Sequence, residues 1–122
     1  MAYVDGFVVP VPLTNVDAYL DMSRACAVIW KEHGALEYWE CVAEDVKPGE
    51  LTSFPQAVMQ KDGETVIFSW IVYRDRDHRD AVNAAVMADE RINGFEADKI
   101  FDAKRMIYGG FRGAVEFGAS AV

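Results

Sequence analysis

The sequence predicts an α+β fold in which one antiparallel sheet of four strands carries two helices on one face. The main observation is the run Glu-Thr-Val-Ile-Phe-Ser-Trp-Ile-Val-Tyr at residues 64–73, which follows an Asp-Gly turn signal and is rich in β-branched and aromatic residues. Because both of its faces are apolar, this run is predicted to be a central strand. Amphipathic segments with helical spacing begin near residues 15 and 75. The other strands are expected at residues 3–11, 35–43 and 104–111.

The first helix is expected directly after the first strand. Pro10 and Pro12 should limit the pairing of that strand, so that it frays or reaches a sheet edge there. Thr14 or Asn15 can cap the helix, and Gly34 is expected to end it. The residues that recur at three- and four-residue spacing between these points are Val16, Tyr19, Leu20, Ser23, Cys26, Ala27, Trp30 and His33.

Two connections stay open at the level of sequence. Residues 44–63 are too many for a simple hairpin loop, and within them residues 53–59 fit either a short helix with a serine cap or an edge strand. The second helix opens at Asp75 or Asp77. After that helix, residues 90–102 fit no single element.

The order β-α-β-β-α-β, combined with right-handed connections, gives a ferredoxin-like sandwich with both helices on one face of the sheet. The opposite face would then be bare, although its side chains are apolar and soluble proteins avoid large exposed apolar patches. Pairing two such faces about a twofold axis gives a homodimeric α/β barrel. We expect one domain over residues 1–118 and a flexible tail at residues 119–122.

The composition argues against two classes of partner. A net charge of −8 does not provide the positive surface that nucleic acids or anionic membranes attract. No apolar run approaches the roughly 20 residues of a membrane-spanning helix, and no signal peptide is visible. Cys26 and Cys41 have no close spacing, which indicates reduced thiols, and we expect a cytoplasmic protein.

The opening strand reads Tyr-Val-Asp-Gly-Phe-Val-Val, and the closing strand reads Lys-Arg-Met-Ile-Tyr-Gly-Gly-Phe. With Glu40-Cys41, Met87-Ala88-Asp89 and the stretches at residues 52–55 and 66–72, these motifs resemble the bacterial family catalogued as domain of unknown function 1428. The resemblance spans nearly the whole chain, except that residues 93–96 differ from the methionine- and proline-rich stretch of the family.

The resemblance implies a ferredoxin-like fold in a dimeric α/β barrel. Relatives by fold include cofactor-free monooxygenases of antibiotic biosynthesis, haem-dependent chlorite dismutases, and small isomerases and lyases. Because the family has no agreed activity, the resemblance implies no catalytic residues.

Two acidic residues are candidate catalytic groups. Asp5 alternates with aromatic and aliphatic residues, so its carboxylate should be buried and suited to acid or base catalysis. The alternative is a structural pair with Arg105, or bonds to the backbone, that fix the dimer. Glu40 would form an acid/base pair with Asp5 if both face the barrel interior. Otherwise Glu40 is a solvated carboxylate on an edge strand.

The candidate ligand-binding residues are mostly aromatic. Phe68, Trp70 and Tyr108 could line a pocket for a flat organic molecule, although packing of a core explains the same residues. Ser69 lies among large apolar residues and could bond either the ligand or a neighbouring backbone group. Arg105 would hold an anionic group of the ligand.

No metal or cofactor is expected. His33 and His78 are the two histidines, and neither stands in a spacing typical of zinc ligands. Both lie on helices that should coat the outside of the barrel. Gly109 and Gly110 inside the last strand predict a bulge or a close approach of backbone.

Two functional hypotheses follow. The first is a small-molecule site inside the barrel, with the chemistry of a cofactor-independent monooxygenase or isomerase acting on an aromatic or polyketide-like compound. In that case Asp5→Asn should abolish activity and spare the dimer. The second is a non-catalytic module for protein interaction or regulation, in which side chains fill the barrel.

Overall fold

The computed structural model describes residues 1–118, and the predicted tail at residues 119–122 lies outside the described residues. The described chain forms the expected α+β sandwich, a four-stranded antiparallel sheet in the order β2-β3-β1-β4. The strands are β1 (Tyr3–Pro12), β2 (Glu37–Val42), β3 (Glu64–Tyr73) and β4 (Ile107–Arg112). The helices are α1 (Val16–Glu32), α2 (Phe54–Ala57) and α3 (Arg76–Met87), with 3-10 helices at Leu13–Asn15, Glu90–Gly94 and Ala97–Lys99.

The central position predicted for β3 is confirmed, because β3 is hydrogen-bonded to β1 on one side and to β2 on the other. β1 stays paired with β3 as far as Pro12, so the predicted fraying is wrong. Its pairing with β4 ends at Val8, which leaves Pro10 and Pro12 on a stretch of β1 that has one free edge. Proline is tolerated there because an edge does not need its missing N–H.

Helix α1 ends as predicted but does not begin as predicted. Gly34 adopts a φ of +112° directly after the helix, a conformation that glycine reaches without steric cost. Asn15 holds the N-cap position, but its φ of −111° and ψ of 4° are not the extended conformation of a side-chain cap. Its amide instead donates to the carbonyl oxygen of Ile100 at 2.9 Å. Ile29, which the predicted stripe omits, is buried because α1 also packs against α3.

The two connections that the sequence left undecided form short helices. Residues 54–57 form the short helix rather than the edge strand, and the Ser53 hydroxyl accepts a hydrogen bond from the backbone N–H of Gln56 at 3.1 Å. Asp75 caps α3 by accepting from the backbone N–H of His78 at 2.7 Å, so Asp75 rather than Asp77 opens that helix. Residues 90–102 contain two 3-10 helices.

The two glycines of β4 do not form a bulge. The register with β1 is continuous through Gly109 and Gly110. The alternative, a close approach, is confirmed at Gly110, where an added Cβ would stand 2.4 Å from the Tyr3 hydroxyl oxygen. Gly110 therefore leaves space for the ring of Tyr3.

The two faces of the sheet have different surroundings. One face packs against the helices, and its buried residues include Val9, Val11, Ile67, Ile71 and Tyr73. Fully burying a side chain of this size stabilises the fold by roughly 1.5–3 kcal/mol. We call the other side of the sheet the open face, because it leaves large apolar side chains in solvent. These are Trp39, Phe68, Ile107 and Phe111, which are 49%, 43%, 44% and 64% exposed.

Candidate functional site

A cavity of about 290 Å³ lies between the helices and the sheet. β1, β2 and β3 form its floor, α1 covers it, and the segment that follows α3 closes one side. Most of its lining is apolar and aromatic, which is typical of sites for small organic molecules. The apolar lining includes Phe7, Trp30, Ile71, Phe95, Phe101 and Met106.

A cluster of hydroxyl groups around Glu40 forms the polar wall of the cavity. The Tyr19 hydroxyl donates to Glu40 Oε1 at 3.1 Å, and the Ser23 hydroxyl donates to Glu40 Oε2. Because that bond uses the only hydroxyl proton of Ser23, the Tyr38 hydroxyl is the donor in its 3.0 Å contact with Ser23. Glu40 therefore accepts hydrogen bonds from hydroxyl groups in the cavity wall and is not a solvated carboxylate.

Local sequence spacing brings this cluster together. Tyr19 and Ser23 are four residues apart on α1 and therefore share one face of the helix. Tyr38 and Glu40 are two residues apart on β2 and share one face of the sheet. The sequence feature that could have indicated this cluster is the pair of hydroxyl side chains, Tyr19 and Ser23, within the apolar stripe of α1. Sequence reasoning treated that pair as core and missed its role.

Burial decides the protonation of the groups around Glu40. It raises the pKa of Tyr19 and of Tyr38, and the nearby Glu40 carboxylate adds to both increases, so both phenols stay protonated and remain donors. Burial also raises the pKa of Cys26, a free cysteine in the cavity wall, to about 11. The Cys26 thiol is therefore protonated at neutral pH and is not activated as a nucleophile.

Ser69 adds a free polar group to the same cavity. It stands directly opposite Glu40 in the β2–β3 ladder, and only 7% of the residue is exposed. No hydrogen-bond partner of its hydroxyl is found within residues 1–118, and the residue lines the cavity. A hydroxyl in the cavity wall can both donate and accept a hydrogen bond, so this group is suited to bind a polar atom of a ligand.

Asp5 lies on the same face of the sheet as Glu40 but in a separate cleft of about 480 Å³. Its Oδ1 accepts from an Arg79 nitrogen at 3.2 Å, and its Oδ2 accepts from the Asn83 amide at 3.4 Å. The expected structural pair with Arg105 is thus wrong, because α3 brings Arg79 to Asp5 instead. Burial raises the pKa of Asp5, and the Arg79 guanidinium offsets only part of that increase.

Arg105 is engaged away from both the cavity and the cleft. Its guanidinium donates to both carboxylate oxygens of Glu64, at 2.8 and 2.6 Å, and to Asp102 at 3.0 Å. Only 9% of its side chain is exposed. These bonds tie the segment before β4 to the start of β3. An anionic ligand held by Arg105 would have to displace them.

The three aromatic residues expected around a ligand do not converge. Phe68 and Trp70 belong to the open face because they alternate with Ser69 along β3, and Trp70 stacks on Trp39 with ring centroids 5.6 Å apart. Tyr108 lies on the helix-covered face, next to Phe7 at 6.3 Å, and lines the cleft of Asp5. The single barrel site inferred from the sequence is therefore divided between two faces and two cavities.

Each histidine has a hydrogen-bond partner close to it in the fold. His33 follows the end of α1, and its Nε2 lies 2.9 Å from Asp89 Oδ2. His78 Nδ1 accepts from the backbone N–H of Arg74 at 3.0 Å. Throughout the described chain, no three His, Cys, Asp or Glu side chains are grouped closely enough to hold a metal ion. None of the helices within residues 1–118 has the length and apolar character needed to cross a membrane.

Comparison with known proteins identifies a family. Residues 2–103 match the family described as "Protein of unknown function (DUF1428)". The chain is also 47% identical over 116 residues to the uncharacterized protein YbaA of Escherichia coli strain K12, an alignment that covers 95% of this chain and 99% of that protein. The family resemblance expected from the sequence motifs is thus confirmed.

Two solved structures share the fold. One is an uncharacterized NIPSNAP domain protein from Burkholderia xenovorans, with a TM-score of 0.60 and 14% identity over 95% of this chain and 98% of that one. The other is a dimeric ferredoxin-like protein from an uncultured marine organism, with a TM-score of 0.57 and 12% identity over 97% of this chain and 99% of that one. At these identities the likeness establishes a ferredoxin-like fold and no activity.

Proposed function

Because this chain belongs to the DUF1428 family, whose function is unknown, we propose its function from the geometry of the cavity: it binds a small, flat, uncharged organic molecule between the helices and the sheet. The observation that carries the proposal is one partly buried carboxylate, Glu40, held by hydroxyl groups in the wall of an otherwise apolar cavity. A side-chain-filled interior would leave no such space.

The apolar lining selects against charged ligands. Moving an ion from water into apolar surroundings is unfavourable unless a partner charge is present, and the nearest charge in the wall is the carboxylate of Glu40. An anionic ligand would face that charge directly. A neutral aromatic molecule would instead stack on the aromatic lining and lose little hydration.

The polar wall defines what the ligand must present. A carboxylate can accept about four hydrogen bonds, and Glu40 accepts two from Tyr19 and Ser23, so it can accept another from the ligand. The hydroxyl of Ser69, on the neighbouring strand, can donate to a ligand oxygen. A ligand with a carbonyl and an adjacent acidic hydrogen meets both requirements.

Proton transfer is the chemistry that these groups support. Glu40 takes a proton from the carbon next to the ligand carbonyl. The electron pair of that C–H bond forms a C=C bond with the carbonyl carbon, and the π pair of the carbonyl moves to its oxygen, which accepts from Ser69. Where the new C=C bond is conjugated with a second double bond in the ligand, return of the proton to the far carbon of that system gives an isomer. Of the two reaction types expected from the sequence, isomerisation is the one that proton transfer alone completes.

We further propose that two chains pair through their open faces as a homodimer. The proposal is supported by the exposed aromatic residues of that face and by the ferredoxin-like structural neighbour that is itself described as dimeric. The cavity lies on the other side of the sheet, so each protomer keeps its own site.

Hydrogen exchange into a simple enolisable ketone tests the proposed function. We expect the protein to accelerate deuterium incorporation next to the carbonyl of 2-tetralone in D₂O, measured by NMR. Glu40→Gln should bring the rate down to that of buffer. Glu37→Gln, on the same strand but the opposite face, should retain the wild-type rate. A wild-type rate equal to that of buffer, or full activity of Glu40→Gln, would overturn the proposal.

A further inference from the structure

Trp30 lies between the cavity of Glu40 and the cleft of Asp5. Together with Phe7 and Ile71, it belongs to the lining of both spaces. Toward the cavity, its ring contacts the ring of Tyr38, with centroids 6.1 Å apart. Toward the cleft, its indole N–H donates to Asn83 Oδ1 at 3.3 Å. Side chains rather than backbone therefore separate the two spaces at this point.

The cleft behind Trp30 is large enough to hold part of a ligand. Its volume of about 480 Å³ exceeds the 290 Å³ of the cavity, and its walls include Met87 and Tyr108 as well as the residues shared with the cavity. Asp5, Arg79 and Asn83 supply polar groups to its wall. Without the indole, the cavity would extend into this cleft and reach a second carboxylate, that of the buried Asp5.

Hydrogen bonds hold the indole in its position. Asn83 Oδ1 accepts from both Trp30 and the Tyr73 hydroxyl, which stands at 3.1 Å, and the Asn83 amide donates to Asp5. The side chain of Trp30 is thus fixed through α3 and β3 as well as by its own packing on α1. A side chain held in this way gives the cavity a defined inner end.

We propose that Trp30 is the specificity-determining residue that limits the length of the ligand, and this inference rests on the proposed function of the cavity. A ligand bound at Glu40 meets the indole at its far end, so one fused ring system fits and a longer one does not. Removing the indole joins the cavity to the cleft and admits a ligand with an additional ring. Trp30 also keeps Asp5 out of contact with the bound molecule.

Calorimetric titration with two probes tests the proposal, using 2-naphthol as the short probe and 6-phenyl-2-naphthol as the long one. The wild-type protein should prefer 2-naphthol. Trp30→Ala should shift the affinity ratio at least tenfold toward the longer probe. Met22→Ala is the matched control, because Met22 lines the cavity but not the cleft, and it should leave the ratio within about threefold.

Phe7→Leu provides a second variant, since Phe7 belongs to the same shared wall and its trimming should shift the ratio in the same direction. Circular dichroism shows which variants are folded. If the wild-type protein binds 2-naphthol but neither variant shifts the ratio, Trp30 does not limit the ligand and the proposed function stands. If the wild-type protein does not bind 2-naphthol, both proposals are overturned.

Discussion

Three carboxylates show how surroundings decide the chemistry of one residue type. Glu40 accepts hydrogen bonds from hydroxyl groups and faces a cavity. Asp5 is paired with Arg79, yet burial outweighs that pair and its pKa is raised. Glu64 is also paired with an arginine, but there the hydrogen bonds from Arg105 outweigh burial and its pKa is lowered. The balance of desolvation against pairing thus separates Asp5 from Glu64.

The lowered pKa of Glu64 predicts a dependence of stability on pH. Because the folded state has the lower pKa, the pair contributes its full stability above the unfolded pKa of about 4.3, and this contribution is lost as the pH falls through the folded pKa. In urea denaturation at pH 7, Glu64→Gln should therefore be less stable than the wild-type protein. The difference should shrink steadily at pH values below about 5.

Glu50→Gln is the control for this pH dependence, since Glu50 is exposed and its side chain makes no ion pair within the described chain. Its difference from the wild-type protein should be small and constant with pH. A Glu64→Gln difference that is equally constant would show that the Arg105 pair does not link folding to protonation.

At the level of the elements, sequence prediction succeeded where the signal is local. The run of β-branched and aromatic residues in β3 and the apolar stripe of α1 are properties of short stretches, and both elements appear as expected, although the stripe also includes Ile29. The predicted side-chain cap of α1 was wrong because Asn15 is the last residue of a 3-10 helix, and its side-chain amide donates to the carbonyl oxygen of Ile100, 85 residues away. No short window of sequence contains that contact.

The cap of α3 gives a prediction at this scale. Asp75 accepts the backbone N–H of His78, whereas Asp77 lies in the first turn and makes no cap bond. Both carboxylates interact favourably with the helix dipole, so replacing either one removes the same charge from the N-terminal end of α3. Asp75→Ala should therefore lower the free energy of unfolding by about 1 kcal/mol more than Asp77→Ala, measured by urea denaturation. Equal losses would mean that charge and not the cap bond stabilises α3.

At the level of the whole molecule, the sequence could predict the layers but not the site. Apolar residues on both faces of β3 implied cover on both sides. The long helices α1 and α3 cover one face, whereas the open face is covered only in part, where Val58 packs against Val8 and Val66. The sequence left open which face of each strand lines a site, and the structure distributes the candidate residues over both faces: Phe68 and Trp70 on the open face, and Glu40 and Ser69 in the cavity under the helices. The decisive partners come from distant parts of the chain: Tyr19 and Ser23 for Glu40, and Arg79 for Asp5. Sequence patterns within one element carry no information about such pairs.

The remaining open face yields a prediction about assembly. If the open face is the interface between two chains, a charged side chain on it loses its water in the dimer but not in the monomer. Phe68→Asp, which places a charge on this face, should therefore dissociate the dimer. Light scattering after gel filtration should give twice the 13.6 kDa chain mass for the wild-type protein and the chain mass for Phe68→Asp.

Val28→Asp is the matched control for the dimer, because it introduces the same charge at a side chain of similar exposure on the helix layer. It should leave the mass of the dimer unchanged. Phe68 is 43% exposed in the single chain, although its ring also contacts the rings of Phe54 and Trp70. A folded monomer is the expected product, and circular dichroism of Phe68→Asp checks that the protomer is folded. A wild-type protein that runs as a monomer at micromolar concentration would leave the open face without the partner proposed for it. The cavity under the helices, built from one chain alone, would be unaffected.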